Sequence, residues 1–224
     1  MAQGFRGWSP AALDFYRGLE ADNAKPYWTA HKAVFEEEVR APFEALSDLV
    51  AEEFGPLTMT RPYRDIRFSK DKRPYKTRGY AVGEGEGGER YYVEISAAGL
   101  VAGCGYWMMA GDQLDRYRAA VDDDTAGAAL AEAVAQVRAA RLEVAGEALK
   151  TAPRGYPRDH PRVELLRHKG LAGVRRFDPA GWLHTRAAAR RVTDTWRAAA
   201  PVTAWLAAHV GPSTEVPPDA GRYG

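Results

Sequence analysis

Eight basic residues fall within eighteen positions: Arg61, Arg64, Arg67, Lys70, Lys72, Arg73, Lys76 and Arg78. Only Asp65 and Asp71 oppose them, which leaves the segment at +6. The full 224-residue chain, with 31 basic and 30 acidic residues, carries +1, so the remainder carries −5. Such a segment attracts an anion by its local field, not by bulk charge. Arginine offers a planar fork of donors that fits phosphate or carboxylate, and lysine adds a point charge. Arg64, Arg67, Lys72 and Lys76 are therefore candidate anion ligands. Tyr75 adds a ring face or a hydroxyl donor. Asp65, between two arginines, is held ionised and can orient one of them. The same charge density also suits a solvated strand edge, where lysines deter aggregation.

The second place where chemistry could reside is Tyr156-Pro157-Arg158-Asp159-His160-Pro161, a polar turn. Histidine titrates near neutral pH and serves as acid, base or metal ligand. His160 is thus the candidate proton-transfer group, with Asp65 as the other. A turn histidine bonded to backbone is the structural alternative. His168 and Lys169 end a short helix, where positive charge suits the helix dipole. Neither polar stretch helps build a core, so a shared cleft joining His160 to Arg64, Arg67 or Lys76 is the simplest expectation.

The run Tyr63-Arg64-Asp65-Ile66-Arg67-Phe68-Ser69-Lys70-Asp71-Lys72-Arg73-Pro74-Tyr75-Lys76-Thr77 resembles the signature of DUF2461, a bacterial and fungal family of unknown function. Gly155 to Pro161, Leu165 to Lys169, and Asn23-Ala24-Lys25-Pro26-Tyr27-Trp28 with Lys32, Phe35 and Pro42 extend the resemblance from about residue 5 to about residue 209. Asp22-Asn23 and Tyr27-Trp28 stand where the family usually shows two asparagines and a Trp-Phe pair. The resemblance implies a fold and a site location. It implies no reaction.

The elements that must position these groups follow from pattern. Ser9-Pro10 starts a helix running to about residue 21. Phe35, Val39, Phe43, Leu46, Val50 and Phe54 mark one face of the next helical region, with Pro42 either kinking it or opening a second helix. Tyr91 to Ser96 and Leu100 to Trp107 form an antiparallel hairpin across Ala97-Ala98-Gly99. Ile66 to Phe68 predicts a further strand. Ile66 and Phe68 share one face of it; Arg67 and Asp65 take the other and Arg64 does not. The turn at Lys72 to Tyr75 must then bring its charges back. The run Gly83 to Gly88 reads as a mobile loop. Asp112 and Asp124 can cap helices. Leu142 to Leu149 and Val174 to Phe177 are short strands, Leu165-Leu166 marks a short helix, and Asp178-Pro179 opens a long C-terminal helix that Pro201 interrupts.

Helices at both ends and antiparallel strands between them give an α+β class: an antiparallel sheet in the middle of the chain, packed by N- and C-terminal helices. One domain over residues 1–210 and a flexible tail over 211–224 are expected. A single cysteine, Cys104 in an apolar run, excludes an intrachain disulfide and suits a reducing cytoplasm. The N-terminus lacks the charge-then-apolar pattern of a signal, and no membrane association is expected. No Cys-x-x-Cys, His-x-x-x-His or phosphate-loop spacing occurs, so no metal and no cofactor are expected. Gly-x-Ser-x-Gly is also absent, which weakens nucleophilic hydrolysis. Three functions remain: a pocket for a small anionic ligand, an enzyme using that pocket for acid–base or phosphoryl chemistry, and a nucleic-acid-binding module. Near-zero net charge makes the last weak and salt-dependent. A concave pocket favours the first two; a flat basic strip favours the third.

Overall fold

The computed structural model describes residues 4–67 and 70–215. The chain opens with α1 (Pro10–Ala21), α2 (Lys25–Val34), a π-helical turn (Phe35–Arg40) and α3 (Ala41–Phe54). Pro42 lies in the first turn of α3, where its missing N–H is harmless. The wide turn just before it keeps Phe35 and Val39 buried. Of the proline alternatives, the chain takes the first in form: the backbone stays right-handed helical from Val34 through the wide turn to Ala41, and the distortion falls just before Pro42.

Six strands follow: β1 (Thr58–Met59), β2 (Arg78–Glu84), β3 (Arg90–Ser96), β4 (Gly99–Tyr106), β5 (Glu143–Ala145) and β6 (Leu171–Phe177). They pair antiparallel in the order β1-β2-β3-β4-β6-β5. Helices α4 (Gly111–Asp122), α5 (Asp124–Ala139), α6 (Val163–Leu166), α7 (Ala187–Ala198) and α8 (Ala200–His209) complete the fold. The expected α+β class, with a mid-chain antiparallel sheet between terminal helices, is what the chain adopts.

The two faces of the sheet differ, and the difference is written in strand alternation. Gly79, Ala81, Val93, Ile95, Leu100, Ala102 and Cys104 lie under the helices α1, α7 and α8 and are buried. Trp196 of α7 meets Tyr91 at 5.2 Å between ring centres. The opposite face carries Arg78, Tyr80, Val82, Tyr92, Ser96 and Val101, all at least partly exposed, with the buried Glu94 among them. Gly79 shows why the helix face must be small at the β2 end. A Cβ there would come within 2.4 Å of the Tyr16 hydroxyl.

Several local expectations change. Gly83 and Glu84 belong to β2, and the rest of the glycine run, expected as a mobile loop, is a tight hydrogen-bonded hairpin turn. Gly85 N–H donates to the Glu89 carbonyl at 2.8 Å, and Gly88 takes a φ of +85° that suits glycine. Ile66 is irregular backbone, because the chain there folds on itself; Phe68 lies outside the described residues. Asp123, not Asp124, caps α5, accepting from the N–H groups of Thr125 and Ala126. Asp112 sits one position inside α4 and holds the segment that follows α8 instead: it accepts from Ser213 and Thr214. The stretch after Asp178-Pro179 first makes a 3₁₀ turn (Gly181–His184) before α7. Among the described residues no helix is long and apolar enough to cross a membrane.

Candidate functional site: a cationic pocket at the β2 edge

Tyr63 and Tyr75 form an isolated antiparallel bridge that closes the cationic segment into a loop. Arg64 N–H donates to the Pro74 carbonyl at 2.9 Å, and Lys76 N–H to the Pro62 carbonyl at 2.8 Å. The neck is clamped from the N-terminal helices. Asn23 accepts from Tyr75 N–H at 3.0 Å and donates to the Tyr75 carbonyl at 3.1 Å. The Trp28 ring stacks on Tyr75 at 4.7 Å, with an 8° interplanar angle. Asn23 and Trp28 thus gain a purpose that sequence alone did not reveal: they fix the base of the loop.

Inside the loop one device appears twice. In Asp65-Ile66-Arg67 the carboxylate accepts from Arg67 N–H at 3.1 Å and from its guanidinium at 2.7 Å. Asp71-Lys72-Arg73 repeats this, at 3.1 and 2.7 Å. Asp71 also receives Arg64 Nη1 at 2.5 Å. Hydrogen bonds from the Arg67 side chain and backbone hold Asp65 down at about 2. Those from Arg73, and then Arg64, hold Asp71 lower still. Lys72 Nζ donates to the Ile66 carbonyl at 3.0 Å.

Beside the loop neck lies a pocket of about 350 Å³, lined by Arg64, Asp65, Arg73, Lys76, Thr77, Arg78 and Tyr80. Four of these side chains are cationic and one is acidic. Lys76 Nζ lies 4.9 Å from the centre of the Tyr80 ring and reaches only hydroxyls, Tyr80 at 3.4 Å and Thr60 at 3.5 Å. No carboxylate pairs with it among the described residues. Arg78 Nε is 3.4 Å from Glu94, a carboxylate with 11% side-chain exposure that also accepts the Tyr92 hydroxyl.

The structure sorts the sequence-derived residues into three groups. Arg64, Asp65 and Lys76 line the pocket. Arg67, Lys72 and Tyr75 do not. Arg67 spends its guanidinium on Asp65, Lys72 spends its ammonium on a loop carbonyl, and Tyr75 is buried under Trp28. His160 is not part of this pocket. Its ring is 8% exposed, with Nε2 at 3.1 Å from Asp122 at the end of α4. Its Nδ1 accepts from Arg162 N–H at 3.0 Å, so the proton sits on Nε2. Arg162 in turn donates to the Val121 and Asp122 carbonyls at 2.7 and 2.8 Å. These bonds stitch the 155–162 turn to the α4–α5 junction. The shared cleft is therefore corrected: both nitrogens of His160 are committed to holding a helix end, away from the loop's wall.

Sequence reasoning passed over Arg73, Thr77, Arg78, Tyr80 and Glu94. The usable signal was period-two alternation in Arg78-Gly79-Tyr80-Ala81-Val82, which places the large residues on one face of a strand, and in Tyr92-Val93-Glu94, which places a carboxylate beside them.

No curated protein and no solved structure matches this chain. A family model described as a conserved hypothetical protein, DUF2461, matches residues 11–205, from α1 to α8 and including both polar motifs. With 195 of its 224 residues inside that match, the chain belongs to the DUF2461 family.

Proposed function

We propose that the pocket at the β2 edge binds a small ligand through a phosphate or carboxylate group. The observation that carries this reading is Lys76: a cation without a carboxylate partner among the described residues, lining one pocket with Arg64, Arg73 and Arg78. Arginine forks beside a lysine point charge give an oxyanion both directional donors and field. Asp71 partly neutralises Arg64 and Arg73, and Glu94 stands 3.4 Å from Arg78, so the net attraction rests first on Lys76. Acid–base chemistry has less support. Asp65 is held as a carboxylate well below the usual range and makes a weak base, and His160 is engaged elsewhere.

Titration with inorganic phosphate, followed by calorimetry, tests the reading. The wild-type chain should bind in a salt-sensitive manner, and Lys76→Gln should weaken binding by at least about ten-fold, in line with loss of one charge-assisted contact worth roughly 1.5–3 kcal/mol. Equal affinity in the two proteins would place the anion elsewhere.

A further inference from the structure

The pocket does not end at Tyr80. Tyr80 stands 5.5 Å from Tyr92 on the neighbouring strand, and Tyr92 stands 5.1 Å from Trp107 at the end of β4. All three are half-buried residues on the open face of the sheet. Trp107 is held over Gly103, where a Cβ would meet its ring at 3.2 Å, and its indole N–H donates to the Arg90 carbonyl at 3.3 Å. A row of rings therefore leads away from the cationic pocket across three strands. Glu94 lies within the row, with one oxygen taken by Tyr92 and approached by Arg78. A carboxylate offers about four acceptor positions, so it can still receive N–H donors from a ring edge.

An aromatic row that served packing alone would lie on the helix side, where Trp196 and Phe54 already fill the core. Here the rings stay partly exposed, adjoin the pocket's cations (Lys76, with no carboxylate partner among the described residues, and Arg78, beside Glu94), and are interleaved with that acceptor. Rings on an open sheet face stack bases, and cations beside them take phosphates. We propose that the ligand is a phosphorylated nucleoside, its phosphate at Lys76 and Arg78 and its base against Tyr92 and Trp107, an inference that rests on the anion-binding reading above. The chemistry is the same for a free nucleotide and for one unit of a single strand.

Calorimetry on the full chain with inorganic phosphate, ribose 5-phosphate, AMP and an eight-nucleotide single-stranded DNA separates the possibilities. AMP should bind at least about five-fold more tightly than ribose 5-phosphate, the lower end of what one stacked base contributes. Trp107→Leu should erase that preference and leave phosphate binding unchanged; Tyr92→Leu should also erase it, read as the AMP to ribose 5-phosphate ratio within that variant because the Tyr92 hydroxyl bonds Glu94 beside Arg78. Tyr92→Phe, which keeps the ring, should retain it. AMP and ribose 5-phosphate binding alike, with phosphate still bound, would overturn the base site while leaving the anion pocket standing. Absence of phosphate binding altogether would remove both. If the base site holds, an octamer much tighter than AMP assigns the ligand to single strands; AMP as tight as the octamer assigns it to free nucleotides.

Discussion

The two polar motifs of this chain look alike as sequence and behave differently as structure. Residues 155–162 combine turn formers, two arginines and a histidine; residues 61–78 combine turn formers, arginines and lysines. In the first, the polar groups of His160 and Arg162 close on helix carbonyls, a backbone N–H and the carboxylates of Asp122 and Asp124. In the second, two Asp-x-Arg pairs absorb part of the charge, and Lys76 and Arg78 face a pocket. Polar density alone therefore does not identify a site. What distinguishes the second region is a surplus: more cations than its carboxylates and carbonyls consume, held on a clamped loop neck.

Substitutions should expose that division of labour. The largest stability effect belongs to Arg162→Ala. It strips the α4 end of two charged donors, one part-buried and one exposed, and the expected loss is about 1.5–3 kcal/mol in urea unfolding, the range for charge-assisted hydrogen bonds. A loss under about 0.5 kcal/mol would mean that the motif is not a structural stitch. His160→Ala should cost less, about 1–2 kcal/mol, and leave phosphate affinity untouched. If phosphate binding vanished in a folded His160→Ala protein, the contrast between the motifs would collapse.

The smallest effect is the pH dependence that Asp65 contributes. Its folded-state pKa lies near 2 against an ordinary 3.8, because Arg67 stabilises the carboxylate. A depressed carboxylate adds stability that is present above the unfolded value and is lost as the pH falls through the folded one. Acid unfolding of Asp65→Asn should thus show a shallower decline between about pH 4 and pH 2 than the wild type. Superimposable acid limbs would remove Arg67–Asp65 from the loop's internal support.

Much of the architecture was legible because it is local. Tyr91 to Ser96 and Leu100 to Trp107 are β-forming runs flanking a short glycine-containing turn, and their hairpin follows, its second strand ending at Tyr106. The helix start at Pro10 and the distortion before Pro42 are written in single residues. β2 was hidden because Gly79 and Gly83 imitate a loop, whereas they are glycine to let Tyr16 and Leu57 approach the sheet. The site was half legible. Charge marked the segment, but which cations face the pocket depends on pairings that alternation cannot supply. Asn23 clamps Tyr75 from 52 residues away, and His160 meets Asp122 across a helix junction. Those contacts are properties of the fold, not of either motif.

The central claim is that the chain's surplus charge forms an anion pocket at the β2 edge. Amide chemical-shift mapping during titration with inorganic phosphate tests it most directly. The perturbations should gather at Arg64, Arg73, Lys76, Thr77, Arg78 and Tyr80, with residues 156–162 unmoved. Shifts centred on His160 and Arg162, or no localised shifts at phosphate concentrations well above the physiological range, would contradict it.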